Sequence, residues 1–264
     1  MADLLIIAAG NGSRMGGSLP KALVPITDEP NLTTTLKQIG SKFQNVFIAT
    51  NITMKAAWEE YFSHLNKQYP TVAANVHNIP ISSGRGDGHA VMQTISAINV
   101  PHIKTQLDSE VAVVWGDVFF PNAEIIDELF ADPLYGKSGV IPVVMEISPY
   151  VTIKTDFNNM VTHAEFSKLG EINGMGYHDQ SVFRFNTFKL TSALAALHAV
   201  LNKHGKYITP NGEMSLLHTF HYLYATGHPI HSMETKYPTL SFNTIEEVMS
   251  IQQEINDKWN RNQS

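Results

Sequence analysis

Short apolar runs, each stopped by glycine or a polar turn, alternate with amphipathic stretches through the first half of the chain. Residues 3–8 (DLLIIA) form such a run, closed by Gly10, and predict a buried strand. A helix is expected from 31 to 40, a strand over 45–50 (NVFIAT), an amphipathic helix over 54–67 and a third strand over 72–79. After the polar loop SSGRGDG at 82–88, a helix is expected to open near His89 and carry AVMQTISAI. The run VAVVW at 111–115 is apolar throughout, so both its faces should be covered, and it ends in Gly116-Asp117. Strands alternating with helices in this way predict an α/β fold: a mostly parallel twisted sheet with helices on both faces, Rossmann-like in plan.

The pattern loosens in the second half. GVIPVVMEI at 139–147 predicts a strand, with others near 150–154, 161–166 and 181–185, which makes the sheet mixed. Helices are expected over 189–203 and 213–226, the second stopped by Gly227 and Pro229, then a strand over 230–234 and a helix over 244–256. No repeat, low-complexity tract or linker interrupts the 264 residues, so one domain is expected, in two halves of about 1–120 and 121–264.

Composition narrows the chemistry. A net charge of −6 and the lack of a basic stripe interleaved with aromatics argue against a nucleic-acid partner. With no cysteine, thiolate nucleophiles, disulfides and cysteine zinc sites are all excluded. The start MADLLIIAAGNG lacks a basic segment and is too short and too soon broken to be a signal or a membrane span, so a cytoplasmic chain without a membrane partner is expected. His218 and His221 in HTFH would share a helix face, but zinc needs a third ligand, and polar surface positions are the simpler expectation.

Candidate chemistry gathers in IIAAGNGSRMGGSLPKALVPI, residues 6–26. A dinucleotide fingerprint would need GxGxxG opening a helix; here Gly10, Gly12 and Gly16 are spaced one residue too far, and Pro20 and Pro25 break any helix that follows. A P-loop would need lysine after its last glycine, but Ser18 follows Gly17. A third reading uses the whole stretch. Successive backbone N–H groups of Ala8, Ala9, Gly10, Asn11, Gly12 and Ser13 form an anion cradle, Arg14 adds a bidentate fork, and Lys21, set behind a rigid proline, adds a point charge. Two cations and a backbone nest suit a triphosphate.

These residues resemble the signature (L/V)AAGxGxRM…PKxL of the sugar-phosphate nucleotidyltransferases, which make nucleotide sugars. Among them the chain is most similar to the uridylyltransferase domain of the bifunctional N-acetylglucosamine-1-phosphate uridylyltransferase. GDGHAVMQTI (86–95) resembles that family's GTGHA segment, VAVVWGDVFF (111–120) its strand ending in Gly-Asp, GEMSLLHTFHYLYATG (212–227) its GEYYxTD helix, and FNTIEEV (242–248) its late asparagine turn. The motifs follow in the family's order, and the similarity, patchy in the middle, spans nearly the whole chain. No hexapeptide repeats follow, so a stand-alone transferase is expected.

The resemblance implies the nucleotide-diphospho-sugar transferase fold and transfer of a nucleotidyl group from a nucleoside triphosphate to a sugar 1-phosphate, with release of pyrophosphate. It implies Mg²⁺ held by Asp117 and Asn243, Lys21 on the α-phosphate and acceptor phosphate, and Arg14 on the departing pyrophosphate. The base pocket would be formed by Ile81, Gly86, Asp87 and Gly88, and the sugar would be held by Glu165 and Asp179. Two departures bear on substrate. Ile81 stands where the family carries a glutamine and Asp87 where it carries a threonine; a carboxylate accepts hydrogen bonds without donating. Asp179 stands where the family has an asparagine. UTP is therefore the first expectation, with a cytidylyl- or guanylyltransferase on another phosphorylated acceptor, or a non-catalytic nucleotide-binding protein, as alternatives. Homo-oligomerisation is left open.

Overall fold

Leu4, Leu5 and Ile6 are wholly buried, and the strand they form, β1 (Asp3–Ala8), lies within a ten-stranded sheet. The computed structural model describes residues 2–10, 12, 15–17, 19–82, 84–99, 107–166 and 174–263, with side chains only to 257 at the C-terminus. In chain order the first half contains β1, α1 (Asn31–Ile39), β2 (Val46–Asn51), α2 (Lys55–Gln68), α3 (Pro70–Ala73), β3 (Val76–Ile81), α4 (Asp87–Ile98), β4 (Glu110–Trp115), β5 (Val118–Phe119) and α5 (Glu124–Ala131). β1 pairs in parallel with β2 and β4, and β2 in parallel with β3. The resulting order, β3-β2-β1-β4, explains the continuous apolar runs: alternate residues serve two cores on opposite faces. Leu5, Phe47, Val111 and Val113 face one, and Leu4, Ile6, Ile48 and Val114 the other.

The second half contains β6 (Gly139–Ile147), β7 (Val151–Thr155), β8 (Met160–Phe166), β9 (Met175–Asp179), β10 (Val182–Asn186), α6 (Thr187–Leu201), β11 (Asn202–Lys203), β12 (Lys206–Tyr207), α7 (His218–Ala225), β13 (Ile230–Glu234), β14 (Leu240–Ser241) and α8 (Ile245–Gln263). β10 joins the halves by pairing antiparallel with both β4 and β6. Beyond it the sheet continues as β6, β9, β7, β8 and β13, and β13 also runs parallel to β6. The parallel strands β1–β4 thus form one end of a mixed sheet, and most of the antiparallel ones form the other.

Two expectations about elements are corrected. Val72 and Ala73 belong to the one-turn helix α3, opened by Pro70, and β3 begins later, at Val76. The helix expected from 213 starts at His218, because the backbone of Met214 and Leu216 hydrogen-bonds to residues 85–88 instead. The helix expected near His89 is α4, which opens at Asp87 and carries AVMQTISAI as expected. β9 and α5 were not anticipated.

Candidate active site

The carboxyl ends of β1 and β4 lie side by side, with β2 and β3 continuing on one flank and β10 on the other. In an open α/β sheet this is where a crevice forms and ligands bind. Two close approaches shape it. Gly116 donates its N–H to the carbonyl of Ile7 at 2.9 Å, and a Cβ on Gly116 would lie 2.9 Å from Cβ of Ala8 and 3.1 Å from Cβ of Ala22. Glycine and the two alanines therefore let the strand ends and the lysine turn meet. Gly12, at φ +59, accepts from the N–H groups of Met15 and Gly17 and turns the glycine loop back.

Pro20 opens a single 3₁₀ turn, Lys21–Leu23, that aims Lys21 inward. Its ammonium donates to Oδ2 of Asp117 at 3.0 Å and to Oδ1 of Asn243 at 2.8 Å. Three residues separated by 96 and 222 positions in sequence thus converge on one point. Each is supported by its own element. Buried Asn31, at the start of α1, donates to the carbonyls on both sides of Asp117: Gly116 at 3.3 Å and Val118 at 2.8 Å. Asp117 in turn accepts the N–H of Phe242 through its backbone carbonyl, and β14 pairs antiparallel with β5, which carries Asn243 to the aspartate. Glu247 accepts the N–H groups of Asn243 and Thr244 in a capping box at the start of α8.

This geometry bears on the metal expected there. A carboxylate and an amide oxygen already converge on one cation, the Lys21 ammonium, and hard divalent ions such as Mg²⁺ take such oxygen donors while keeping waters. The donor set fits. No group of three or more histidine, cysteine or acidic side chains that might bind a metal occurs among the described residues. His218 is not a plain surface position either: it is half-buried, its Nδ1 accepts the N–H of Ser215 at 3.1 Å, and burial lowers its pKa. His221 is exposed.

A cavity of about 380 Å³ opens beside this cluster, lined by Ala8, Ala9, Gly10, Trp115, Asp117 and, across from them, Gly86, Asp87 and Glu213. Ile81, buried at the end of β3, and Gly88, buried in the first turn of α4, are not among the residues lining this cavity. Asp87 reaches beyond its own helix. Its Oδ1 accepts the N–H of Leu216 at 2.6 Å, while Gly88 donates to the carbonyl of Met214 at 2.9 Å. Burial pushes the Asp87 carboxyl up to about 6, although the N–H of Leu216 and the hydroxyl of Ser215 favour its charged form. Gly86 and Gly88 are required by this docking: a Cβ would lie 2.5 Å from Met214 O and 2.6 Å from the Ser215 carbonyl carbon. Segment 213–217 is thereby held against the loop before α4 and brings Glu213 into the cavity. The signal for Glu213 was present in the GEYYxTD resemblance.

The expected sugar residues are placed otherwise. Asp179 is buried at the end of β9, with Oδ1 accepting the N–H of Ser181 at 2.9 Å, and burial raises its pKa. Glu165 pairs with Lys154 at 3.1 Å and with His163 at 3.3 Å, and it faces away from Phe166, its neighbour on β8 that does reach the cleft. Neither appears among the residues lining the two cavities beside Lys21. A larger space of about 830 Å³ shares Gly10, Lys21, Gly86 and Asp87 and extends to Glu146, Tyr150, Phe166 and His178. None of these last four was singled out from sequence. Asn11, Ser13 and Arg14 lie outside the described residues.

A Rossmann-like crevice carrying a glycine loop, a lysine and an oxygen-donor pair defines a nucleotide-handling transferase fold. Residues 4–146 match the MobA-like NTP transferase domain, and the chain belongs to that family of nucleotidyltransferases. The bifunctional protein GlmU of Cellvibrio japonicus is 28% identical over 137 residues, and that of Xylella fastidiosa strain 9a5c is 32% identical over 129. These matches span 50% and 48% of this chain but only 25% and 24% of the relatives. A solved structure described as UDP-glucose pyrophosphorylase complexed with UDP-glucose superposes with a TM-score of 0.75, covering 98% of this chain and 99% of its own at 15% identity. The fold is thus shared over the whole chain, the second half included. No helix among the described residues is long and apolar enough to cross a membrane.

Proposed function

We propose that this chain transfers a nucleotidyl group from a nucleoside triphosphate to a sugar 1-phosphate and releases pyrophosphate. One observation carries the reading: the Lys21 ammonium lies between Asp117 and Asn243 at the carboxyl edge of the sheet, at the foot of the glycine loop. An oxygen of the acceptor phosphate attacks the α-phosphorus. The bond from that phosphorus to the oxygen bridging to the β-phosphate breaks, and pyrophosphate departs with the electron pair. Both partners are anionic, so catalysis consists mainly of aligning them and offsetting charge.

Lys21 has two oxygen partners in this arrangement and would exchange them for phosphate oxygens, neutralising charge on the α-phosphate and the incoming acceptor. Asp117 and Asn243 would hold Mg²⁺, which when bound supplies further neutralisation of the phosphate oxygens. The glycine loop's backbone N–H groups and Arg14 would take the β- and γ-phosphates. Residues 1–120 would serve the nucleotide and residues 121–264 the acceptor. The base would sit against Ile81, Gly86, Asp87 and Gly88. UTP is the first triphosphate to test, while the carboxylates of Asp87 and Glu213 would also suit the N–H edge of guanine.

The test is pyrophosphate release across the four ribonucleoside triphosphates and dTTP, crossed with hexose 1-phosphates and other phosphorylated acceptors, with and without Mg²⁺. Release confined to one base and one sugar phosphate, and dependent on the ion, is expected. No release with any pair would sink the reading in favour of a nucleotide-binding protein without turnover.

A further inference from the structure

Glu146 and His178 form a contact that the proposed transfer has not used. They come from adjacent antiparallel strands, where Glu146 lies opposite Gly176 and His178 opposite Val144. The two side chains share a face diagonally across the ladder, and His178 Nδ1 meets Glu146 Oε2 at 2.6 Å. Both line the same 830 Å³ space as Lys21 and Asn243, at an end flanked by Tyr150 and Phe166.

The pair does little for the fold. Its side chains are 26% and 49% exposed, and ion pairs of that kind contribute little to stability. Other acidic groups nearby are already engaged: Asp179 accepts the Ser181 N–H, and Glu165 binds Lys154. That contact engages His178 Nδ1 and Glu146 Oε2, so Nε2 and Oε1 are the atoms left to meet a ligand. A ring nitrogen and a carboxylate oxygen on one face match neighbouring hydroxyls, each of which can donate or accept. The aromatic side chains of Tyr150 and Phe166 offer apolar surface to the C–H groups of a sugar ring, and Lys21 lies in the same space to take a phosphate.

We infer that Glu146 and His178 are the acceptor-recognition pair, binding adjacent hydroxyls of a phosphorylated sugar whose phosphate lies at Lys21. This rests on the transferase reading for the identity of the acceptor, but binding can be measured without turnover. Glucose, mannose, galactose and N-acetylglucosamine 1-phosphates, phosphoethanolamine and inorganic phosphate are titrated calorimetrically into the full chain and its Glu146→Gln and His178→Phe variants. At least one hexose 1-phosphate is expected to bind about tenfold more tightly than inorganic phosphate, with phosphoethanolamine no better than phosphate. Each variant should bring that sugar phosphate to within about twofold of inorganic phosphate while leaving nucleotide affinity unchanged. A wild-type chain that does not discriminate, a preference for phosphoethanolamine, or discrimination that survives both substitutions overturns the inference. Sugar binding lost in both variants, without pyrophosphate release from the wild type, would instead uphold the site and sink the transfer.

Discussion

Lys21 has the most exacting position of any side chain in the cleft. Its ammonium lies between the two oxygens that would take a divalent ion, at 3.0 and 2.8 Å, so lysine and metal compete for the same place until phosphate draws the lysine away. Replacing Lys21 with methionine keeps the length of the chain and removes the charge. Turnover should fall by about a hundredfold or more, as when a group aimed at developing charge is lost. Mn²⁺ affinity without nucleotide should rise by about tenfold, on the order of one screened charge contact. An electron paramagnetic resonance titration of free Mn²⁺ checks the second effect, and an unchanged affinity would contradict the competition. The residues of this cluster were legible in sequence because each sits in a motif whose order is preserved. Asp87 was half legible: its presence beside the cavity was expected, its bond to Leu216 was not, since nothing local in GDGHA points 129 residues ahead.

At the scale of elements, the strands easiest to read were those buried on both faces. β1, β2 and β4 each contain an unbroken apolar run, Leu4–Ala8, Val46–Ala49 and Val111–Trp115, because cores cover them on each side. β9 (MGYHD) has no such run: only its second and last residues are buried, because the strand lies partly against the cleft. The Glu146–His178 contact was hidden for the same reason, being a pairing between β6 and the strand that sequence did not reveal. The start of α4 shows how local and distant requirements meet. Gly88 has no need of glycine for its own backbone angles, since its φ is not positive, but a Cβ there would lie 2.6 Å from the Ser215 carbonyl carbon and 2.7 Å from the Leu216 nitrogen. Gly88→Ala should push segment 214–216 off the helix, break the Gly88–Met214 and Asp87–Leu216 hydrogen bonds, and cost about 1–3 kcal/mol. Urea unfolding measures that loss, and the KM for the triphosphate should rise with it. A variant with native stability and native KM would show that the docking of 214–216 has no bearing on the nucleotide pocket.

Across the whole molecule, the stability of the sheet depends on how its parallel and antiparallel parts are joined, and β10 is the strand that joins them. Arg184, buried in that strand, secures the junction. Its Nε and Nη2 donate to Glu110 of β4 at 2.9 and 2.6 Å, and its Nη1 donates to the carbonyls of Leu129 at 3.0 Å and Asp132 at 2.6 Å. The guanidinium also lies 4.5 Å from the ring of Phe130, so one side chain ties β10 to β4 and to the end of α5. Arg184→Met preserves most of the volume but leaves two carbonyls and a carboxylate without their donor, a loss of about 3 kcal/mol. Glu110→Gln keeps the carbonyl bonds and should cost about 1 kcal/mol. The site residues stand at the far, carboxyl end of β4, so neither change touches them. Below the unfolding transition both variants should therefore retain the wild-type KM for nucleotide while the methionine variant unfolds at clearly lower denaturant. Equal and small losses in the two would mean that the hydrogen bonds to α5 contribute little. A raised KM in the stable temperature range would mean that the junction sets the geometry of the cleft as well as the stability of the sheet.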